Sequence, residues 1–466
     1  MSDMLSHPIH RRRLLQGGFA FGAAVLGRST SLSGLAENAT ATPELPTAVI
    51  RAVTGTPKHA LVIFIDGGHP ELYTPEHAPT ITALGKLGTI FTAASVGFPS
   101  DSMSNIVGAF TGATFTENGL LYDYFYDRKF GQTIQLDETP KLPDGVKPTD
   151  LILKPTLFQA ARAKGLRTAF ISKHPAYSIL NGPTAGGPGI DDFRGPEIAD
   201  WKGTQSEYDA MTFGLLREQI LSGTPPDIMG LYALAPSGAM KTSGVDSADT
   251  VTAIKFIDDQ IAQTIAALQI AGSYDDTVIV ITADHGNTPT PKWIPQEGTG
   301  SISAFLEMNG IPVVHVTPDD LYMVYLKDES QTNAAIDLLS KPENRTPFGI
   351  DHILTQDDLK SMDAAPVDRT PDFVVVPTEG IVYAKKAKAA EHGGITAADL
   401  QVPLVLAGPG VKAGAVVADP VRIQQIAPTL AALLGLGLPT ATFPPLAGGM
   451  VNGVATPAAP RATPVA

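Results

Sequence analysis

Five short apolar runs constrain this fold more than any other feature of the chain. They are Ala60-Leu-Val-Ile-Phe-Ile65, Arg167-Thr-Ala-Phe-Ile171, Ile228-Met-Gly-Leu-Tyr-Ala-Leu234, Thr277-Val-Ile-Val-Ile-Thr282 and Leu404-Val-Leu-Ala407. Each reads as a buried strand, and the centre of the 277–282 run is apolar without interruption. Helical patterns lie between them. Ile81–Leu87 and Phe158–Lys164 are two. A long one over about 248–270 carries Ile254, Ile257, Ile261, Ile265 and Leu268 at steps of three and four, and another covers 423–434. Strands alternating with helices predict a parallel sheet covered on both faces. In such sheets ligands bind beyond the C-terminal ends of the strands, so polar residues following each run are the candidates for chemistry.

From 290 to 385 the alternation weakens. The segment is rich in Pro and Asp and holds short mixed elements such as Leu321–Tyr325 and Phe373–Val376. It is expected to be a cap inserted in a main domain formed by 42–289 and 386–441. Residues 442–466 are rich in Pro, Ala and Gly without periodicity and are expected to form a flexible tail.

The N-terminus, Arg11-Arg12-Arg13-Leu14-Leu15, leads into a Gly/Ala-rich apolar stretch ending at Gly27. That stretch is roughly half the ~20 residues of a membrane span. A small-x-small site follows at Ala39-Thr40-Ala41. The pattern is similar to a twin-arginine export signal over 1–41, which predicts a soluble periplasmic or secreted protein. The chain has no cysteine, which excludes disulfides, thiolate metal sites and cysteine nucleophiles. A formal charge of −14 argues against a nucleic-acid scaffold, because phosphate backbones require clustered Lys and Arg.

Three polar clusters sit at or soon after apolar runs, and a fourth precedes one. Asp66-Gly67-Gly68 stands after the first strand, where Asp66 suits a metal and equally an Asx turn. Ser100-Asp101-Ser102-Met103-Ser104-Asn105 precedes a helical run. It reads as an N-cap, and the same position at a helix N-terminus favours an alkoxide and phosphate oxygens. Asp284-His285 follows the 277–282 strand and offers oxygen and imidazole to one metal ion. Glu391-His392-Gly393-Gly394 precedes the last strand.

In this order, Asp66, the Phe98-Pro99-x-x-Ser102-x-x-Asn105 block, Ala283-Asp284-His285-Gly286, His392-Gly393 and the closing Ile426–Gly435 segment resemble the alkaline phosphatase superfamily. The closest subgroup is the type I phosphodiesterase/nucleotide pyrophosphatase-like enzymes. The resemblance covers most of 58–435. It implies an α/β fold with a helix-sandwiched parallel-sheet core and an inserted smaller cap. It also implies a metal-dependent hydrolase of a small phosphoester or phosphonate. Ser102 is the implied nucleophile and Asn105 a phosphate contact. Asp66, Ser102, Asp284 and His285 would hold one zinc-type ion, and His392 would belong to a second. The family's other ligands for that second ion, an Asp and a His four residues later, are missing. No Asp, Glu or His occurs from 228 to 245, and Ala235–Gly244 reads as a loop. Lys241 is the candidate compensating cation. Lys173 and His174, after the 167–171 strand, are further candidate substrate contacts. The missing ligands leave a second reading open, in which the chain binds a ligand or partner without turnover.

Overall fold

The computed structural model describes residue 45, residues 47–137 and residues 140–451. The expected export signal and the tail beyond 451 lie outside these residues. The core is a single eight-stranded sheet. Its strands are β1 (His59–Ile65), β2 (Thr89–Phe91), β3 (Thr168–Ile171), β4 (Asp192–Arg194), β5 (Ile228–Ala233), β6 (Thr277–Thr282), β7 (Leu404–Ala407) and β8 (Ala415–Val417). The order across the sheet is β8-β2-β7-β6-β1-β5-β3-β4. β1 lies parallel between β5 and β6, so the three most apolar runs form its centre.

Alternate residues of these strands enter two cores. Val62, Phe64, Tyr232 and Val280 meet helix α2 (Ser102–Thr111) through Ile106, Val107 and Phe110. Leu61, Ile63, Leu231 and Ile281 meet the opposite layer. That layer includes α1 (Pro79–Leu87), α3 (Gln205–Ile220) and α5 (Ala248–Ile270). All five apolar positions expected along α5 are buried there. Both faces are thus covered, which is why the strands lack polar alternation.

One strand departs from the expected parallel arrangement. β7 runs antiparallel to both β6 and β2. The chain leaves the sheet at Thr282 and re-enters beside it, Leu404 pairing with Thr282. A segment that starts and ends at the same sheet edge must re-enter in the reverse direction. The long excursion contains a four-stranded antiparallel sheet with its own core around Tyr322, Val324, Phe373 and Val375. Two further expectations are corrected. Residues 442–451 pack against the core, with Leu446 and Met450 buried and Leu446 N–H donating to Thr429. The stretch expected to be a loop after β5 is helix α4 (Ala235–Ser243). Among the described residues no helix is long and apolar enough to cross a membrane.

Candidate active site

The polar clusters converge at the C-terminal ends of β1, β3, β5 and β6. Asp66 follows β1 on a turn with Gly67 at φ 71°, a left-handed conformation that favours glycine. A Cβ on Gly67 would stand 2.2 Å from the Asn287 amide nitrogen, so the close approach of this turn to the 284–287 loop requires glycine. Ser102 opens α2. Asp101 caps that helix by accepting from Ser104 N–H at 2.8 Å, which holds the Ser102 hydroxyl over the helix N-terminus.

Ser102 Oγ lies 3.1 Å from His285 Nε2. His285 Nδ1 donates to the carbonyl of Gly286 at 2.7 Å, which turns Nε2 toward the site. Asp66 Oδ1 is 3.3 Å from the same Nε2, and Asp284 Oδ2 is 3.6 Å from it. Donor atoms of Asp66, Asp284 and His285 all lie within 4.8 Å of one another, and all three residues are buried. Asp66 Oδ1 and Asp284 Oδ1 have no hydrogen-bond partner. Unsatisfied buried carboxylate oxygens are costly, and a cation relieves that cost. Two carboxylates, an imidazole and a hydroxyl are also the donor types a zinc-class ion takes. The residues present therefore fit one such ion.

Burial alone would raise the Asp66 pKa. The Lys173 ammonium, 3.0 Å from Asp66 Oδ2, and His285 overcome it and hold this carboxyl well below its usual range. Burial raises Asp284. Burial lowers His285, but Asp284 and Asp66 outweigh it and raise the net value.

Tyr232, on β5, is a member of this site that no sequence pattern singled out. Its hydroxyl lies 2.7 Å from Asp66 Oδ2, 2.5 Å from Asp284 Oδ2 and 3.0 Å from Ser102 Oγ. It accepts from Lys173 Nζ at 3.1 Å. Burial, then Asp284 and Asp66, push its pKa well above the usual phenol range, so it enters the cluster as a donor.

His392 stands beside this group, its ring parallel to that of His285 with centroids 3.8 Å apart. The hydroxyl of Ser100 holds the His392 loop, accepting from Gly393 N–H and donating to the Gly394 carbonyl. His392, Asp319 and Glu391 form a second set of donors within 4.8 Å of one another. Asp319 comes from the inserted segment and accepts from the Tyr122 hydroxyl at 2.9 Å. No sequence pattern pointed to Asp319. Glu391 was visible only as the neighbour of His392. Glu391 is already compensated: Lys241 Nζ lies 2.9 Å from Oε1, and Lys388 pairs with Oε2. Asp209 fixes Lys241's helix by accepting the N–H groups of Leu234 and Ala235 at the end of β5.

A cleft of about 750 Å³ opens over these groups, with Ser102, Lys173, Lys241 and His392 on its core side and Thr317 and Asp319 from the insert. His174 lines the cleft too, but its Nδ1 is paired with Glu197 at 2.7 Å. Asn105 is the sequence-predicted residue that the structure removes from the site. Its carboxamide is buried and fully used: Oδ1 accepts from Gly97 N–H at 2.8 Å, and Nδ2 donates to the carbonyls of Asp101 and Pro99. It braces the turn leading into Ser102, and its amide protons are unavailable to a phosphate oxygen.

No curated protein matches the chain. Murine ectonucleotide pyrophosphatase/phosphodiesterase 5 superposes with a TM-score of 0.66 at 16% identity, covering 82% of this chain and 96% of its own. The same murine protein has been solved as an inactive variant in complex with AMP, with the same TM-score. Wild-type alkaline phosphatase PafA superposes with a TM-score of 0.69 at 14% identity, covering 87% of this chain and 100% of its own. These likenesses establish the alkaline-phosphatase-like fold. Residues 60–399 match the profile of the type I phosphodiesterase / nucleotide pyrophosphatase family. The chain therefore belongs to that family.

Proposed function

We propose that this protein is an exported phosphoric ester hydrolase that uses Ser102 as nucleophile beside a single firmly held divalent ion, with zinc the best match to the donor set. The observation that carries this reading is the convergence of Ser102 Oγ, His285 Nε2 and two carboxylates with unpartnered oxygens at one point of the cleft. Asp66, Asp284, His285 and the Ser102 oxygen would hold the ion. When bound, such an ion supplies Lewis-acid stabilisation of developing negative charge.

The chain's own residues do the rest. The α2 N-terminus stabilises negative charge on Ser102 Oγ. Lys173 and Lys241 line the cleft and supply positive charge toward the phosphoryl oxygens of a small phosphoester or phosphonate. The second position keeps His392, but its neighbouring carboxylate is neutralised by Lys241 and Lys388, so a second ion is held weakly or not at all. The Arg11-Arg12-Arg13-Leu14-Leu15 segment directs export by the twin-arginine route to the periplasm. An Arg11→Lys/Arg12→Lys variant retained in the cytoplasm supports this, and normal export of that variant refutes it.

The deciding assay uses residues 42–466 with added zinc or manganese. The substrates are p-nitrophenyl phosphate, its bis-ester and a phenylphosphonate ester, tested beside Ser102→Ala. Turnover by the wild type and its loss in a Ser102→Ala protein that still binds metal support the reading, and the preferred ester sets the substrate class. Wild-type rates in Ser102→Ala refute the nucleophile. Absence of turnover from the metal-loaded wild type favours a ligand-binding role on the same scaffold.

A further inference from the structure

Tyr232 is wholly buried, and its ring packs beside aromatic side chains. Phe64 is its register partner on β1, and the Tyr177 ring lies 5.5 Å away. For packing alone a phenylalanine would serve. A buried hydroxyl costs stability unless it is hydrogen-bonded. Here groups from three other parts of the chain converge on it: Asp66 after β1, Ser102 at the start of α2 and Asp284 after β6. The Lys173 ammonium donates to its oxygen and also stands over its ring, 4.7 Å from the centroid. The phenol has a single hydrogen for three acceptors. Each carboxylate keeps a second, unpartnered oxygen for a cation. Of the three acceptors, Ser102 Oγ at 3.0 Å is the one whose charge changes during the reaction.

We propose that Tyr232 donates a hydrogen bond to Ser102 Oγ during turnover and that its main effect falls on the second half of the reaction. This rests on Ser102 being the nucleophile. In the first half, Oγ bonds to phosphorus, the bond from phosphorus to the ester oxygen breaks, and the alcohol leaves with that electron pair and a proton. In the second half, a water oxygen bonds to phosphorus. The bond from phosphorus to Oγ breaks with its electron pair on Oγ, and a proton from the water restores the seryl hydroxyl. The phenol keeps its own proton throughout. A donor to Oγ opposes the attack slightly, because Oγ loses charge in that step. It assists the second step, in which Oγ gains charge as the leaving group.

The test is Tyr232→Phe in the metal-loaded protein with p-nitrophenyl phosphate as substrate. The expected result is a kcat lowered by about 10- to 100-fold. KM falls along with kcat, a burst of nitrophenol approaches one per chain, and phosphoserine is recoverable at position 102 after acid quench. Bound metal is unchanged. Wild-type kcat without a burst overturns the proposal. So does a loss of kcat accompanied by loss of bound metal, since Tyr232 would then act on the ion site and not on Ser102. If Tyr232→Phe fails to fold, 3-fluorotyrosine at this position keeps the ring and strengthens the donor. Faster breakdown of the phosphoserine supports the proposal, and an unchanged rate overturns it. Ser102→Ala separates the two levels of the reading. Full activity in Ser102→Ala removes the nucleophile itself. An inactive Ser102→Ala beside a wild-type-like Tyr232→Phe removes the role of Tyr232 alone.

Discussion

Lys241 holds Glu391 at 2.9 Å on the rim of the position where His392 stacks on His285. With Lys388 on its other oxygen, Glu391 is a buried carboxylate whose charge is met by ammonium groups. A divalent ion there must displace at least one lysine and shed its own hydration shell. The purified chain is therefore expected to retain one metal ion after dialysis, and Asp284→Asn to retain none. Elemental analysis per chain decides this; two ions surviving dialysis would show that Asp319, Glu391 and His392 form a working site.

Asp209 gives the protein a distinctive pH dependence. Burial pushes its pKa from the ordinary 3.8 to about 7, although Ala235 and Leu234 donate to it. A folded pKa above the unfolded one means that its stability contribution is fully present below about pH 4 and is lost as pH rises through about 7. Relative to Asp209→Asn, the wild type should lose up to about 1.4 kcal/mol per pH unit inside that window. Denaturant unfolding of both proteins from pH 4 to pH 8 tests this; parallel curves would refute it.

Arg369 ties the inserted segment to the core. Its Nε donates to Asp127 Oδ2 at 2.9 Å, and its Nη1 donates to the carbonyls of Gly119 and Leu151 at 2.6 Å each. Both Arg369 and Asp127 are buried. Arg369→Met leaves the carboxylate without its cation and two carbonyls without donors. The expected loss is about 3–5 kcal/mol of unfolding free energy, measured by urea titration. A loss below about 1 kcal/mol, the range of an exposed pair, would mean that water replaces the guanidinium.

Gly67→Ala tests how closely the turns that carry Asp66 and Asp284 must approach. The new methyl group meets Asn287 and Ser237 while the backbone sits in the left-handed region. About 1–2 kcal/mol of backbone cost is expected, together with a metal affinity at least about tenfold weaker because Asp66 is displaced from Asp284. Calorimetric titration of the metal-free variant measures this. Wild-type affinity would show that the turn relaxes without moving its carboxylate.

Local patterning was enough to specify the layered α/β core. Strands with unbroken apolar centres such as Thr277–Thr282 and the single stripe on the Ala248–Ile270 helix leave few ways to hide both faces of a sheet. Asp66, Ser102, Asp284, His285 and His392 were legible because each follows or precedes a strand or opens a helix. Their fold position is encoded locally, and the structure brings them together. Other features depend on contacts between distant segments. β7 runs antiparallel because the excursion after Thr282 closes on its own starting point, a long-range fact that no local run records. Asp319 reaches His392 from a segment with no motif. Asn105 stood at the expected spacing, but its amide is consumed by the turn it supports. Tyr232 lies inside an apolar strand, where sequence reads it as core. Only the register of β5 against β1, and the convergence of Asp66, Asp284 and Ser102 on its hydroxyl, make it part of the site.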